Sequence, residues 1–301
     1  MSATPCRVGM VAVIGRPNVG KSTLINALVG ERVSITSRKP QTTRDRVLGV
    51  RTTVDAQFIF VDTPGFQRRH RSALNKRMNQ AVTGALADVD AVILVIDAHG
   101  WTDADEQVLQ LLPKEFGQVI LALNKTDLLT NREKLLPLMA ESMQRFPFHS
   151  IVPVSAEKGR QLDELLAEVR ALLPEGMPLF DSEQYTDRSA RFLATESIRE
   201  KAYRLLGDEL PYGVAVTIDR WEEAESVARI AATLVVEREA HKGIVIGKDG
   251  TKLREISRLS SRVCDRIMVV LNGVLEGFDS PSALEATNPF YREALRLSGM
   301  R

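Results

Sequence analysis

Cysteine is nearly absent from this chain: only Cys6 and Cys264 occur in 301 residues, and they share no CxxC spacing. That excludes a disulfide framework and a structural zinc site, and it points to a reducing compartment. Charge of one sign is also lacking, because 40 Lys and Arg stand against 39 Asp and Glu for a formal net charge of +1. A whole-chain polycation is therefore excluded, and any nucleic-acid footprint must be local. No apolar run approaches the roughly 18–20 residues of a membrane span. The opening MSATPCRVGMVAVIG holds an apolar stretch too short for a signal peptide, so the chain reads as cytosolic. Internal repeats and low-complexity tracts are missing as well.

What remains is an ordinary globular composition, 44% hydrophobic and 26% charged, on a chain long enough for two domains. Through residue 173, short apolar runs (VGMVAVI, QFIFVDT, AVILVIDA, QVILALNK, SIVPVSA) alternate with segments of helical period. Such alternation predicts βαβ crossovers and an α/β unit with a mostly parallel, six-stranded sheet covered on both faces. RVLGVRTTVDAQFIFVDT is the exception, expected as an antiparallel edge hairpin that turns near VDA. The helix LDELLAEVRALLP closes this unit at Pro174, and PEGMPLFDSEQYTDRS, rich in Pro, Gly and acids, reads as a linker over 175–188. From 189 to 301 the pattern is a helix, two extended runs, and helix, tight turn, helix, which predicts a smaller α+β domain. Its last strand is expected near Met268–Leu275, weakened by Asn272-Gly273, with DSPSALEATNP before a closing helix FYREALRLSG.

Four clusters sit at the ends of the expected strands, where open α/β sheets hold their ligands. GRPNVGKST, residues 15–23, has the spacing G-x-x-x-x-G-K-S between strand and helix. Glycines there let backbone N–H groups of Gly15, Arg16, Pro17, Asn18, Val19, Gly20, Lys21, Ser22 and Thr23 curl round phosphate, proline excepted since it has none. The helix dipole, the Lys21 ammonium and the Ser22 hydroxyl on Mg²⁺ complete the binding logic. DTPG follows, with Asp62 placed to hold Mg²⁺ through water and Gly65 to approach a terminal phosphate. In NKTD, the Asp127 carboxylate offers only acceptors, matching guanine's ring N–H and exocyclic amine together, whereas adenine presents an acceptor at that ring nitrogen. Lys125 lays its stem over the base, and Asn124 ties this loop to the phosphate loop. VSAEKG supplies the N–H groups of Ser155 and Ala156 for the guanine carbonyl oxygen.

These four elements, in this order, resemble the translation-factor-related P-loop GTPases. The resemblance implies GTP as substrate, Mg²⁺ as cofactor, and a switch loop in SRKPQTTRDR, where Thr43 rather than Thr42 completes the metal shell because it precedes Arg44-Asp45. Where Ras-like enzymes place a glutamine after the DxxG glycine, this chain has Phe66, so no side chain there orients the water. The resemblance thus implies slow intrinsic hydrolysis and K⁺ held partly by Asn18. A nucleotide-sensing module with negligible turnover is the rival reading.

In the second unit, Gly247-Lys248-Asp249-Gly250 lies between two helical patterns in IVIGKDGTKLREI. From Lys242 to Arg262 there are six basic and two acidic residues, +4 in a chain that totals +1. Such a turn resembles the G-x-x-G loop by which KH domains clamp single-stranded RNA, with Gly247, Lys248, Asp249, Gly250 and Lys252 as candidate contacts. The element order is that of the bacterial, type II KH arrangement. Together with SITSRKPQTTR, GWTDADE, DRSARFLATESIREK and ELPYGVAV, these segments resemble the Era family of ribosome-assembly GTPases. That resemblance implies a P-loop GTPase domain over 1–174, a linker over 175–188 and a type II KH domain over 189–301. The implied partners are GTP and GDP, small-subunit ribosomal RNA and the small ribosomal subunit. A monomeric, cytoplasmic protein is implied, with weak peripheral association at the inner membrane surface, although no long basic amphipathic stripe occurs.

Overall fold

A computed structural model describes residues 6–35, 47–62, 88–113, 116–206, 214–224, 227–236, 239–247, 250–260, 267–271 and 274–279. The chain divides into two compact units, Met1–Arg188 and Ser189–Arg301. Thr42, Thr43, Gly65, Phe66, Lys248, Asp249 and the expected closing helix lie outside the described residues. Among the described residues no helix is long and apolar enough to cross a membrane.

In the first unit the strands are β1 (Cys6–Ile14), β2 (Val47–Thr52), β3 (Ala56–Asp62), β4 (Ala91–Asp97), β5 (Val119–Asn124), β6 (Ser150–Pro153) and β7 (Glu175–Gly176). They interleave with helices α1 (Lys21–Val29), α2 (Asp103–Leu109), α3 (Leu135–Arg145) and α4 (Leu162–Leu172). The sheet runs in the order β2-β3-β1-β4-β5-β6, parallel except for the β2–β3 hairpin. The expected six strands gain a seventh. β4 pairs with β1 only from Val11 onward, so the start of β1 keeps an open edge, and β7 fills it against Cys6 and Arg7.

Strand periodicity of two sorts the apolar residues onto two faces. Val11, Val13, Phe58, Phe60, Ile93, Val95, Ile120 and Ala122 face α1 and α4. Ala12, Ile14, Val92, Leu94, Ile96, Leu121 and Leu123 face α2 and α3. Because both faces are covered, these strands read as continuous apolar runs rather than alternating ones. Polar Gln57 at 0% exposure is an exception that the next stretch explains. Its amide donates to Phe180 O at 2.8 Å and to Thr52 Oγ1 at 3.0 Å, and its carbonyl accepts from the N–H groups of Leu179 and Phe180. Further along, Val50 N–H donates to Tyr185 O at 2.8 Å, and Thr186 bridges Gly49. The stretch expected as a linker is thus held along the β2–β3 edge as far as Asp187, whose Oδ1 accepts from Leu48 N–H.

The second unit contains α5 (Ala190–Leu205), β8 (Val214–Ala224), β9 (Val227–Val236), α6 (Glu239–Ile246), α7 (Thr251–Ser260), β10 (Ile267–Leu271) and β11 (Val274–Asp279). β8 and β9 form a hairpin, and Ala194, Ile198, Ala202, Val214, Val216, Ile230, Val245 and Ile256 make its core. One expectation is corrected at the end: instead of a single strand over Met268–Leu275 there is an antiparallel pair, β10 with β11, in which Leu271 faces Val274. Asn-Gly between two apolar runs is the strongest two-residue hairpin signal, so the sequence here announces a strand pair rather than one weakened strand; Asn272 and Gly273 themselves lie outside the described residues.

Candidate nucleotide site and glycine turn

The phosphate loop leaves β1 at its carboxyl end and enters α1 at Lys21. Gly15 and Gly20 take φ of 154° and 99°. A Cβ would lie 2.5 Å from Val95 O at Gly15 and 2.4 Å from Asn124 Nδ2 at Gly20, so both positions admit only glycine. Asn18, at φ 65°, adopts the left-handed region that asparagine tolerates better than most residues. α1 begins with no side-chain cap and no acidic residue in its first turn. Its terminal N–H groups and positive dipole end are therefore left for an anion.

Lys21 is 7% exposed, and its Nζ donates to Arg16 O at 2.9 Å. Burial pushes its ammonium down to about 8; Asp62 and Asp105 oppose that shift, and Arg16 adds to it. Ser22 Oγ donates to Asp62 Oδ2 at 3.0 Å, joining the head of α1 to the end of β3 across 40 positions. Hydroxyl and carboxylate oxygens are the hard donors that Mg²⁺ prefers, so this pair fits the metal; when bound, the ion would neutralise charge on the phosphates. Asp62 is fully buried and Lys21 nearly so, which keeps the local dielectric low around both.

At the end of β5, Asn124 donates from Nδ2 to Val19 O at 2.8 Å and accepts at Oδ1 from Ala156 N–H at 3.0 Å. One buried amide thereby joins three loops. Lys125 has φ of 68°, and its Nζ meets Asp97 Oδ2 at 2.9 Å. Burial raises the Asp97 carboxyl, but hydrogen bonds from His99 and Lys125 outweigh it and leave it below the usual range. Asp127 accepts from Ser155 Oγ at 2.5 Å, so this hydroxyl orients the carboxylate. Ser155 N–H donates to Arg160 O at 3.2 Å and Ala156 N–H to Asn124. Both amides expected for the guanine carbonyl already have protein partners, since the turn after β6 closes on itself through the Ser155–Arg160 bridge and the Asn124 amide reaches Ala156. A base oxygen would have to exchange with or share them.

A cavity of about 340 Å³ opens beside these loops, lined by Thr23, Asn26, Glu31, Arg32, Ala156 and Glu157. Asn26 shapes its wall, accepting from the N–H groups of Val33 and Ser34 and donating to Ser34 O. Sequence reasoning missed Asn26, Asp97 and Asp105. Polar residues inside otherwise apolar runs were the available signal for the first two.

In the second unit, Gly247 ends α6 at φ 76° and Gly250 stands before α7 at φ 70°. Gly250 N–H donates to Gly247 O at 3.2 Å, closing the turn. A Cβ on Gly247 would meet Lys252 Cγ at 2.9 Å.

Comparison with known proteins agrees with both units. Residues 10–125 match the family described as 50S ribosome-binding GTPase, and residues 209–267 match the KH domain. GTPase Era of Bordetella avium is 52% identical over 257 residues, 85% of this chain and 86% of that protein. GTPase Era of Neisseria meningitidis is 49% identical over 253 residues, 83% of this chain and 82% of that one. Among solved structures, Era in complex with MgGDPNP and nucleotides 1506–1542 of 16S ribosomal RNA is similar at TM-score 0.80 and 36% identity, covering 98% of this chain and 99% of its own. Era of Aquifex aeolicus bound to GDP·AlF₄⁻ is similar at TM-score 0.79 and 36% identity, covering 97% and 99%.

Proposed function

The chain belongs to the Era family of GTPases, and from that premise we propose that it is a GTP-switched factor that binds small-subunit ribosomal RNA during ribosome assembly. The observation that carries this is convergence: Ser22 meets Asp62, and Asn124 meets both Val19 and Ala156, in a chain that also presents a glycine turn of the KH kind. The family description naming the 50S particle matches only residues 10–125, whereas the Era–16S RNA complex resembles nearly the whole chain. We therefore assign the RNA to the small subunit.

Gly15 to Thr23, Pro17 excepted, hold the phosphates through main-chain N–H groups, with Gly65 approaching the γ-phosphate. Mg²⁺ is shared by Ser22, Asp62 and Thr43. Asp127, set by Ser155 Oγ, reads the guanine edge, and Lys125 covers its face. Phe66 offers no proton acceptor to a water, so preorganised charge must carry catalysis. K⁺ near Asn18 is our assignment for part of it; equal hydrolysis rates in KCl and NaCl would rule that out. Gly247, Lys248, Gly250 and Lys252 hold RNA phosphates, Asp249 tempering the grip. We divide these roles between a GTPase domain over 1–174, a linker over 175–188 and a KH domain over 189–301, in a cytoplasmic monomer.

The test is crosslinking to a fragment of the 3′ end of 16S RNA with GTP or GDP present, alongside hydrolysis measured with and without that RNA. GTP-dependent crosslinks and RNA-dependent turnover are expected. Crosslinks blind to both nucleotide and RNA sequence would defeat the switch.

A further inference from the structure

Arg16 is the second residue of the phosphate loop, where a cation is expected to reach for phosphate. Its guanidinium turns elsewhere: Nε donates to Asp105 Oδ2 at 3.1 Å and lies 3.1 Å from Oδ1, across 89 positions of sequence. We propose that Asp105 is a positioning residue of the nucleotide site, fixing the phosphate loop through Arg16 so that Lys21 is held ready for the phosphates.

Three observations support it. First, the Asp105 side chain is fully buried while that of Arg16 is 24% exposed, so this is no screened surface pair. A buried carboxylate is tolerated only when paired and hydrogen-bonded, and removing its partner leaves an uncompensated charge. Second, Asp105 is itself immobilised. It is the third residue of α2 and forms a reciprocal capping box with Thr102, whose Oγ1 donates to Asp105 Oδ2 at 2.6 Å and accepts from Asp105 N–H at 3.4 Å. Thr102 N–H adds a further bond to Oδ2 at 3.1 Å. Third, the carbonyl of the same Arg16 receives Lys21 Nζ at 2.9 Å. Holding the Arg16 side chain on a helix end therefore constrains the direction of the carbonyl that holds Lys21.

The loop is thus pinned on both flanks, by Asn124 at Val19 and by Asp105 at Arg16. Neither anchor needs to touch the ligand. Preorganising a site in this way lowers the ordering cost of binding and acts mainly on the dissociation rate.

This inference rests on the nucleotide reading of the loop. Release of N-methylanthraniloyl-GDP from the full chain, followed by fluorescence after chasing with GDP, separates the two. Asp105→Asn, which keeps the bonds to Thr102 and loses the charge facing Arg16, is expected to speed release about three- to tenfold. Thr102→Ala removes one of the bonds that hold Asp105 but keeps the Thr102 N–H bond and the charge facing Arg16, so it should lower the melting temperature and speed release less than Asp105→Asn. Arg16→Gln should match Asp105→Asn, and the double variant should be no faster than either single one. Release at the wild-type rate from Asp105→Asn, additive effects in the double variant, or equal acceleration by Thr102→Ala would each overturn the proposal while the nucleotide reading stands. Should Asp105→Asn fail to fold, Arg16→Gln decides: wild-type release refutes the tether. No binding of the probe by wild type would remove the reading and the proposal together.

Discussion

A single lysine shows how much of the site's behaviour is set by burial. The Lys21 ammonium is lowered from its ordinary 10.5 to about 8, chiefly because it is desolvated. Between those two values the unfolded chain binds more protons than the folded one, so stability without nucleotide should rise as pH climbs from about 8 to 10.5. Nucleotide reverses the balance, since phosphate charge favours the ammonium. Binding must then take up a proton above pH 8, and GDP affinity should fall by up to about tenfold per pH unit beyond it. Titration calorimetry at pH 8.5 in two buffers of different ionisation enthalpy checks this; identical heats would mean that Lys21 is already charged. Ser155 offers a second test at this scale. Its hydroxyl donates to Asp127 at 2.5 Å, and a hydrogen bond to a charged group contributes about 1.5–3 kcal/mol. Ser155→Ala should weaken GDP by about tenfold, measured by equilibrium binding, with guanine still preferred over adenine because the carboxylate remains.

Among the elements, the strands and their loops were the most readable parts of the chain. Apolar runs such as AVILVID and VILALN announce strands buried on both faces, and the motifs at their ends need only sequence order to be located. What escaped was long-range and polar. The stretch 175–188 has the composition of a solvated connection, yet Gln57 holds it with one donated and two accepted hydrogen bonds. Nothing in PLFDSEQYTD reveals that; the clue was a lone glutamine inside QFIFVD, which must satisfy its amide somewhere. Likewise, the Ser155 amide is taken by Arg160 across a local turn and the Ala156 amide by Asn124, 32 positions back, contacts that no periodicity reports. The glutamine makes a clear forecast. Gln57→Leu fills similar volume but leaves Leu179 N–H, Phe180 N–H and Phe180 O without this partner, at a cost of about 2–4 kcal/mol in chemical denaturation. A loss under 0.5 kcal/mol would show that the edge contact is incidental.

Across the whole molecule, charge is distributed by unit rather than in sum. A chain of net +1 concentrates +4 between Lys242 and Arg262, around a turn whose two glycines take φ of 76° and 70°. Such a footprint suits a phosphate backbone, and it lies in a different compact unit from the loops that meet at Asn124. Binding of RNA and binding of nucleotide should therefore be separable by substitution. Gly247→Asp is the sharpest probe: it forces a side chain onto a left-handed backbone, brings a Cβ to 2.9 Å from Lys252 Cγ, and sets a carboxylate where phosphate is expected. Crosslinking to the 16S RNA fragment should fall at least about tenfold, since strain and repulsion act together. Release of N-methylanthraniloyl-GDP should stay within twofold of wild type, because none of the loops that hold it has changed. If both activities fell together while the melting temperature held, the two units would share one binding equilibrium, and the division of labour between them would have to be abandoned.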